Sequence, residues 1–221
     1  STAHALGMDP LQAEIRQIVF FDTPDLDLNR AGLVVRARRL PGGRGDTVVK
    51  LRPVVPDHIS ADLRSSGSVG IEVDAMPGGF VCSASMKGKT TASAVLRVVQ
   101  GLKRPGSIFS KEQKRFFAEY APEGLKIGQL DVLGPILTLK LRFSPPELGR
   151  KMVAELWLYP DGSRILELST KAVTGEAFDV GAQTRAYLAS RGVDLDADQQ
   201  TKTKGALEFF SAALRRDSAR A

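Results

Sequence analysis

Three short stretches of the chain each carry two cations two residues apart, with apolar residues on the positions between them. They are Val34-Val35-Arg36-Ala37-Arg38, Val48-Val49-Lys50-Leu51-Arg52 and Thr138-Leu139-Lys140-Leu141-Arg142. Side chains alternate along a β-strand, so each cation pair shares one face while Val35/Ala37, Val49/Leu51 and Leu139/Leu141 take the other. A solvated sheet face accounts for any single pair. Three pairs repel one another unless something negative sits among them, which points to a polyanion site.

Acids occur with the same alternation. Glu72 and Asp74 share a face in Val69-Gly70-Ile71-Glu72-Val73-Asp74, Glu155 faces with Val153 and Trp157, and Glu167 with Ile165, Ser169 and Lys171. If the cations and these carboxylates line the inside of a barrel, that interior is unstable as a dry core. A chain of phosphates with a divalent cation balances it. The simpler alternative makes Glu155 and Glu167 cross-strand ion-pair partners of Arg36 or Lys140. Lys151 and Lys171 read as solvated strand ends, Lys204 as a surface lysine and Trp157 as packing.

The supply of other ligands narrows the chemistry. His4, His58 and Cys82 are the whole stock of histidine and cysteine, so no Cys/His zinc set can form. A metal here would be a hard ion on carboxylates, Mg2+ or Mn2+. The lone cysteine excludes an internal disulfide. A formal charge of +6 arises from 31 Lys and Arg against 25 Asp and Glu, so placement carries more weight than the net excess. No apolar run reaches the roughly 18 residues of a membrane span, and Ser1 to Gly7 does not read as a secretory signal. A cytoplasmic protein with no membrane partner is the expectation; oligomeric state is left open.

The elements that must position these residues follow from periodicity. Strands are expected at Ile15–Phe21, Leu33–Leu40, Thr47–Pro53, Val69–Asp74, Lys126–Leu133, Ile136–Phe143, Lys151–Tyr159 and Ser163–Ala172. Pro41 to Asp46 reads as a glycine-rich hairpin loop; its Arg-Gly-Asp is a turn, and the Gly-Lys-Ser/Thr ending of a P-loop is missing. Pro56 to Ser68 reads as a loop. Helical spacing marks Thr91–Leu102, Ser110–Tyr120 with a capping box, Phe178–Ser190 and about 201–216. The expectation is a single α+β domain over 1–221, built on a large antiparallel sheet or barrel of about eight strands, with a helical insertion at about 86–124.

Phe20-Phe21-Asp22-Thr23-Pro24-Asp25-Leu26-Asp27-Leu28, Gly32-Leu33-Val34-Val35-Arg36-Ala37-Arg38 and Val48-Val49-Lys50-Leu51 resemble the opening of the CYTH family, the triphosphate tunnel metalloenzymes. The later Lys140-x-Arg142, the Glu155 and Glu167 strands and the Lys204 segment fall in a similar order. The resemblance implies an eight-stranded antiparallel tunnel with flanking helices. It also implies hydrolysis of inorganic or thiamine triphosphate, or synthesis of cyclic AMP. By position, Arg36, Arg38, Lys50, Arg52, Lys140 and Arg142 would bind triphosphate, with Lys204 as a further candidate. Glu72, Asp74, Glu155 and Glu167 would hold the metal and position water, and Glu155, Glu167 and Lys50 would be catalytic. Two departures stand out. The family's Glu-x-Glu-x-Lys first strand is not found before Gln17 and is expected upstream of Ser1; the later acid-x-acid pair reads Glu167-Leu168-Ser169.

The leading expectation is metal-dependent hydrolysis of inorganic triphosphate or a related compound. The alternatives are a polyphosphate-binding module without turnover and an adenylate cyclase. A nucleic-acid partner is not expected, because aromatic residues do not interleave with the basic pairs.

Overall fold

The computed structural model describes residues 2–65, 67–76, 79–195 and 202–218. Its strands are β1 (Glu14–Asp22), β2 (Leu33–Arg39), β3 (Arg44–Leu51), β4 (Val69–Met76), β5 (Gly79–Thr91), β6 (Asp131–Phe143), β7 (Met152–Leu158) and β8 (Arg164–Thr170). The helices are α1 (Thr2–Ala5), α2 (Asp27–Arg30), α3 (Ala61–Ser65), α4 (Ala92–Val99), α5 (Lys111–Tyr120), α6 (Ala177–Ser190) and α7 (Lys202–Ser218). One eight-stranded sheet runs in the order β4-β5-β3-β2-β1-β6-β7-β8. The pairings β1/β2, β2/β3, β3/β5, β4/β5, β6/β7 and β7/β8 are antiparallel. The α+β class and the eight antiparallel strands are as expected. Among the described residues no helix is long and apolar enough to cross a membrane.

Eight strands are present, but not the same eight. Lys126–Leu133 and Ile136–Phe143 are not two strands: a short 3-10 turn occupies Ile127–Gln129 and β6 then runs unbroken through Gly134-Pro135. Gly134 takes φ 133°, a backbone region that side chains rarely adopt, so the chain bends there without ending the strand. In exchange, β5 is a thirteen-residue strand the periodicity did not reveal. Its Ser83, Ala84, Ser85 and Gly88 give little of the β-branched signal that marks a strand. The helical segment accordingly begins at Ala92 instead of Met86, with the Thr91 side chain capping α4. A turn of helix, α3, also lies inside the expected loop 56–68.

Two compact units divide the chain. One comprises Gln17–Ile136 and Thr203–Ala221; the other comprises Ser1–Arg16 and Leu137–Lys202. In the first, Val19, Phe21, Leu33, Val35, Ala37, Val49, Ala84 and Met86 form a buried core with Val95 and Val98 of α4 and Phe116 and Phe117 of α5. These strand residues share one face by register, so the apolar side of the cation strands does pack under helices. Removing one such side chain, Leu33→Ala for example, should cost about 2–5 kcal/mol. Gln113 fastens α5 to the sheet: its amide donates to the Thr47 and Met86 carbonyls at 3.2 and 3.1 Å and accepts from Thr47 Oγ1 at 3.0 Å. Gly88 makes room for it, since a Cβ there would lie 2.5 Å from Gln113 Oε1.

The second unit repeats the scheme on a smaller scale. Met152 of β7 is buried with Leu6, Tyr187 and Leu188, and Phe143 and Leu168 pack against them. Here α6 and the N-terminal segment cover the Phe143, Met152 and Leu168 end of the apolar face, while Leu137 and Leu166 at its other end are exposed.

Candidate functional site

The turn after β1 is built by its own acids. Asp22 is 1% exposed and accepts from the backbone N–H of Thr23, Leu28 and Asn29 at 2.7, 2.9 and 3.0 Å. Burial pushes its carboxyl above the usual range while those three donors pull it back. Thr23 Oγ1 donates to Asp27 Oδ2 and accepts from the Asp27 N–H. The Ser211 hydroxyl of α7 donates to the Pro24 carbonyl at 2.6 Å. The Asp-Thr motif is therefore structural: it folds the chain back so that β2 returns beside β1.

Register then fixes which side chains share a face, because cross-strand Cα partners point the same way. Arg36 stands opposite Val48, Arg38 opposite Asp46, and Val34 opposite Lys50. On the far side of β3, Asp46, Val48 and Lys50 stand opposite Lys89, Lys87 and Ser85 of β5. Glu72 and Asp74 of β4 stand opposite Ser83 and Val81 on the same parity. This face thus brings Arg36, Arg38, Lys50, Glu72 and Asp74 together, with Arg52 just beyond the end of β3. Ile18 and Phe20 of β1 share it, stand beside Arg38 and Arg36, and are buried.

Three carboxylates answer the cations here. Arg38 forms a two-pronged pair with Asp46, at 2.8 and 2.6 Å. Asp74 Oδ2 lies 3.8 Å from Lys50 Nζ and 3.5 Å from Arg52 Nη2. Glu72 accepts from Lys87 Nζ at 3.0 Å. Burial pushes the Lys50 ammonium below the ordinary lysine range, with Asp74 opposing and Arg52 and Arg36 adding to the effect. Among the described residues seven cations (Arg36, Arg38, Arg44, Lys50, Arg52, Lys87, Lys89) share this face with Asp46, Glu72 and Asp74, a positive excess.

The second unit carries its own charged row. Lys140, Glu155 and Glu167 are successive Cα partners across β6, β7 and β8, and Thr138, Trp157 and Ile165 form the adjacent row. Lys140 Nζ donates to Glu155 Oε1 at 2.9 Å, with both side chains 18% exposed. The ion-pair alternative for Glu155 is thus realised with Lys140. Arg142 donates to Glu14 Oε1 at 3.0 Å, and Glu14 also pairs with Arg16. Hydrogen bonding from Arg16 holds the Glu14 carboxyl below its usual range, against an opposing desolvation and with help from Arg142. Cations and carboxylates balance: Arg16, Lys140 and Arg142 against Glu14, Glu155 and Glu167. Trp157 is fully buried.

Lys204 lies on α7, 66% exposed, 3.8 Å from Glu208 one helical turn away. Asp46, Glu14, Arg16, Lys87 and Lys89 were missed in the sequence. Asp46 was hidden by the reading of Arg44-Gly45-Asp46 as loop; alternation of Asp46 with Val48 and Lys50 was the available signal.

Among the described residues no group of three or more His, Cys, Asp or Glu side chains could hold a metal ion by itself. Glu155 and Glu167 nevertheless suit a hard cation as a pair. Like charges directly opposite in a sheet repel, and Mg2+ is commonly held by one or two carboxylates with phosphate oxygens completing its shell.

No family model matches the sequence, and no curated protein does. Solved structures share the fold. A candidate adenylyl cyclase from Hippeastrum, described as having a dominant triphosphatase activity, superposes with a TM-score of 0.65 at 15% identity, over 91% of this chain and 85% of that one. A candidate adenylate cyclase from Bacillus halodurans gives a TM-score of 0.61 at 12% identity, over 91% and 87%. At these identities the likeness is one of fold, and it agrees with the resemblance read in the opening motifs.

Proposed function

We propose that this chain belongs with the triphosphate tunnel metalloenzymes and hydrolyses inorganic triphosphate or a related triphosphate compound. The observation that carries this reading is the partly buried positive excess around Arg36, Arg38, Lys50 and Arg52, which a phosphate chain neutralises. The fold shared with a protein described as a triphosphatase supports it.

Arg36 and Arg38 offer guanidinium forks to phosphate oxygens, and Asp46 holds the Arg38 fork in place. Lys50 adds a compact charge where the leaving phosphate gathers negative charge, in a half-buried setting that strengthens the interaction. Lys140 and Arg142, the other expected phosphate ligands, belong to the second unit, where they pair with Glu155 and Glu14. A water attacks the terminal phosphorus in line and expels pyrophosphate, giving up its proton to leave orthophosphate; Glu72 and Asp74, in the same unit as the cations, are the carboxylates that would orient it. Mg2+ or Mn2+, held by Glu155 and Glu167 or by Glu72 and Asp74 together with phosphate oxygens, would neutralise charge on the transferred group.

Phosphate release from inorganic triphosphate with added Mg2+ or Mn2+ tests this. Release is expected in the wild type and lost in Lys50→Ala and Arg38→Ala; no release with any divalent ion overturns the enzyme reading. A second reading, a polyphosphate-binding module without turnover, is favoured by Ser169 standing where a second carboxylate would complete the pair with Glu167. It expects salt-sensitive binding and no phosphate release. A cyclase would instead release pyrophosphate from ATP.

A further inference from the structure

Resting on the triphosphate reading, we infer that Ser85 of β5 is a further substrate-binding residue, whose hydroxyl donates to the phosphate oxygen that Lys50 holds. No cation motif marks it, and register alone brings it to the charged face. Its cross-strand partners there are Lys50 of β3 on one side and Gly70 of β4 on the other.

Ser85 is 3% exposed, and its Oγ is closed to solvent with no hydrogen-bond partner among the described residues. A buried hydroxyl without a partner costs stability, and protein interiors rarely leave one so. The next hydroxyl on the same face shows the ordinary outcome: Ser83, 1% exposed, donates to the Glu72 carbonyl at 3.4 Å. Ser85 instead has a cation on one side and room on the other. The Lys50 side chain is 23% exposed, and Gly70 puts no side chain beside the hydroxyl, where a Cβ would stand 3.9 Å from Oγ. A phosphate oxygen drawn to Lys50 is an ionised acceptor, which a hydroxyl binds more strongly than a neutral one. As Lys50 turns onto the anion, that oxygen reaches Ser85 and answers the hydroxyl that the free protein leaves without a partner.

The test is calorimetric binding of inorganic triphosphate to the full chain, in chelator so that nothing is hydrolysed, with the melting temperature of each free protein. Ser85→Ala should weaken triphosphate binding at least about tenfold, because it loses a hydrogen bond to a charged oxygen. The same substitution should raise the melting temperature of the free protein by about 2–4 °C, because it removes an unanswered hydroxyl. These two effects have opposite signs for function and stability, which a purely structural role for Ser85 does not produce. Ser83→Ala is the comparison, expected to keep triphosphate affinity within about twofold and not to raise the melting temperature. Equal binding by wild type and Ser85→Ala, or an equal loss in Ser83→Ala, overturns this inference alone. So does a lowered melting temperature in Ser85→Ala, the result if a buried water already answers the hydroxyl. Failure of wild type to bind triphosphate overturns the triphosphate reading as well.

Discussion

The two charged strand faces follow the same rule of alternation and reach opposite balances. Around β2, β3 and β5, seven cations meet three carboxylates among the described residues, and one of the cations, Lys50, is pushed toward its neutral form by burial. Around β6, β7 and β8, three cations meet three carboxylates, and Lys140 is committed to Glu155 at 2.9 Å. On the proposed reading, an added anion stabilises the first face. The second is balanced among the described residues, with Glu155 and Glu167 directly opposite one another across β7 and β8.

The sharpest way to break this contrast is substitution on the first face. Lys50→Ala and Arg38→Ala should each lower phosphate release at least a hundredfold, because a half-buried charge contact to the reacting phosphates is worth several kcal/mol. Colorimetric phosphate assays would measure it. Metal binding should separate the faces next. Since no three-ligand group is present among the described residues, Mn2+ alone should bind weakly. Triphosphate should tighten Mn2+ binding by tenfold or more, read by calorimetry, and Glu167→Gln should blunt that gain.

On the second face the expected effect is on stability. Lys140→Met removes a mostly buried ion pair with Glu155, and should cost about 1–3 kcal/mol, with much of it recovered in Lys140→Met/Glu155→Leu. Thermal denaturation of the four members of that cycle measures the coupling. Arg142→Ala removes a pair whose cation is 59% exposed, and should shift stability by less than about 1 kcal/mol.

The smallest expected effects are of pH. The folded value for Lys50 lies below its unfolded one, so the unfolded chain holds more protons in that window and this group's contribution to stability rises as pH climbs through it. Triphosphate favours the charged form, so affinity should fall over the same pH range, and Lys50→Arg should flatten that fall. Glu14 has the opposite sign. Its carboxyl is lowered by Arg16 and Arg142, so its contribution is present above the unfolded value and lost as pH falls through the folded one. Acid titration of Glu14→Gln against wild type would reveal it.

Where side chains repeat with a clear period, the sequence was enough to place them. The Arg36/Arg38, Lys50/Arg52 and Lys140/Arg142 pairs lie on strands or at their ends, and Val35, Ala37 and Val49 lie beneath helices. The capping box at Ser110 and Gln113 also formed, with an added role, since Gln113 holds Thr47 and Met86 as well as its own helix start. β5 was illegible because its small residues carry weak strand preference, and with it went Lys87 and Lys89. Gly134-Pro135 resembled a break because the residues that end strands elsewhere can also bend one.

The sequence by itself determined the faces: alternation is a local property of the extended chain, and it assigns cations and apolar residues to opposite sides before any partner strand is known. Only the tertiary structure decided the charge balance on each face. Which carboxylate meets which cation depends on register between distant segments, as with Arg38 and Asp46 across the β2/β3 hairpin or Arg142 and Glu14 across 128 positions. Strand pairing is set by burial of the opposite, apolar face, so the charged side inherits its neighbours from packing it does not itself control.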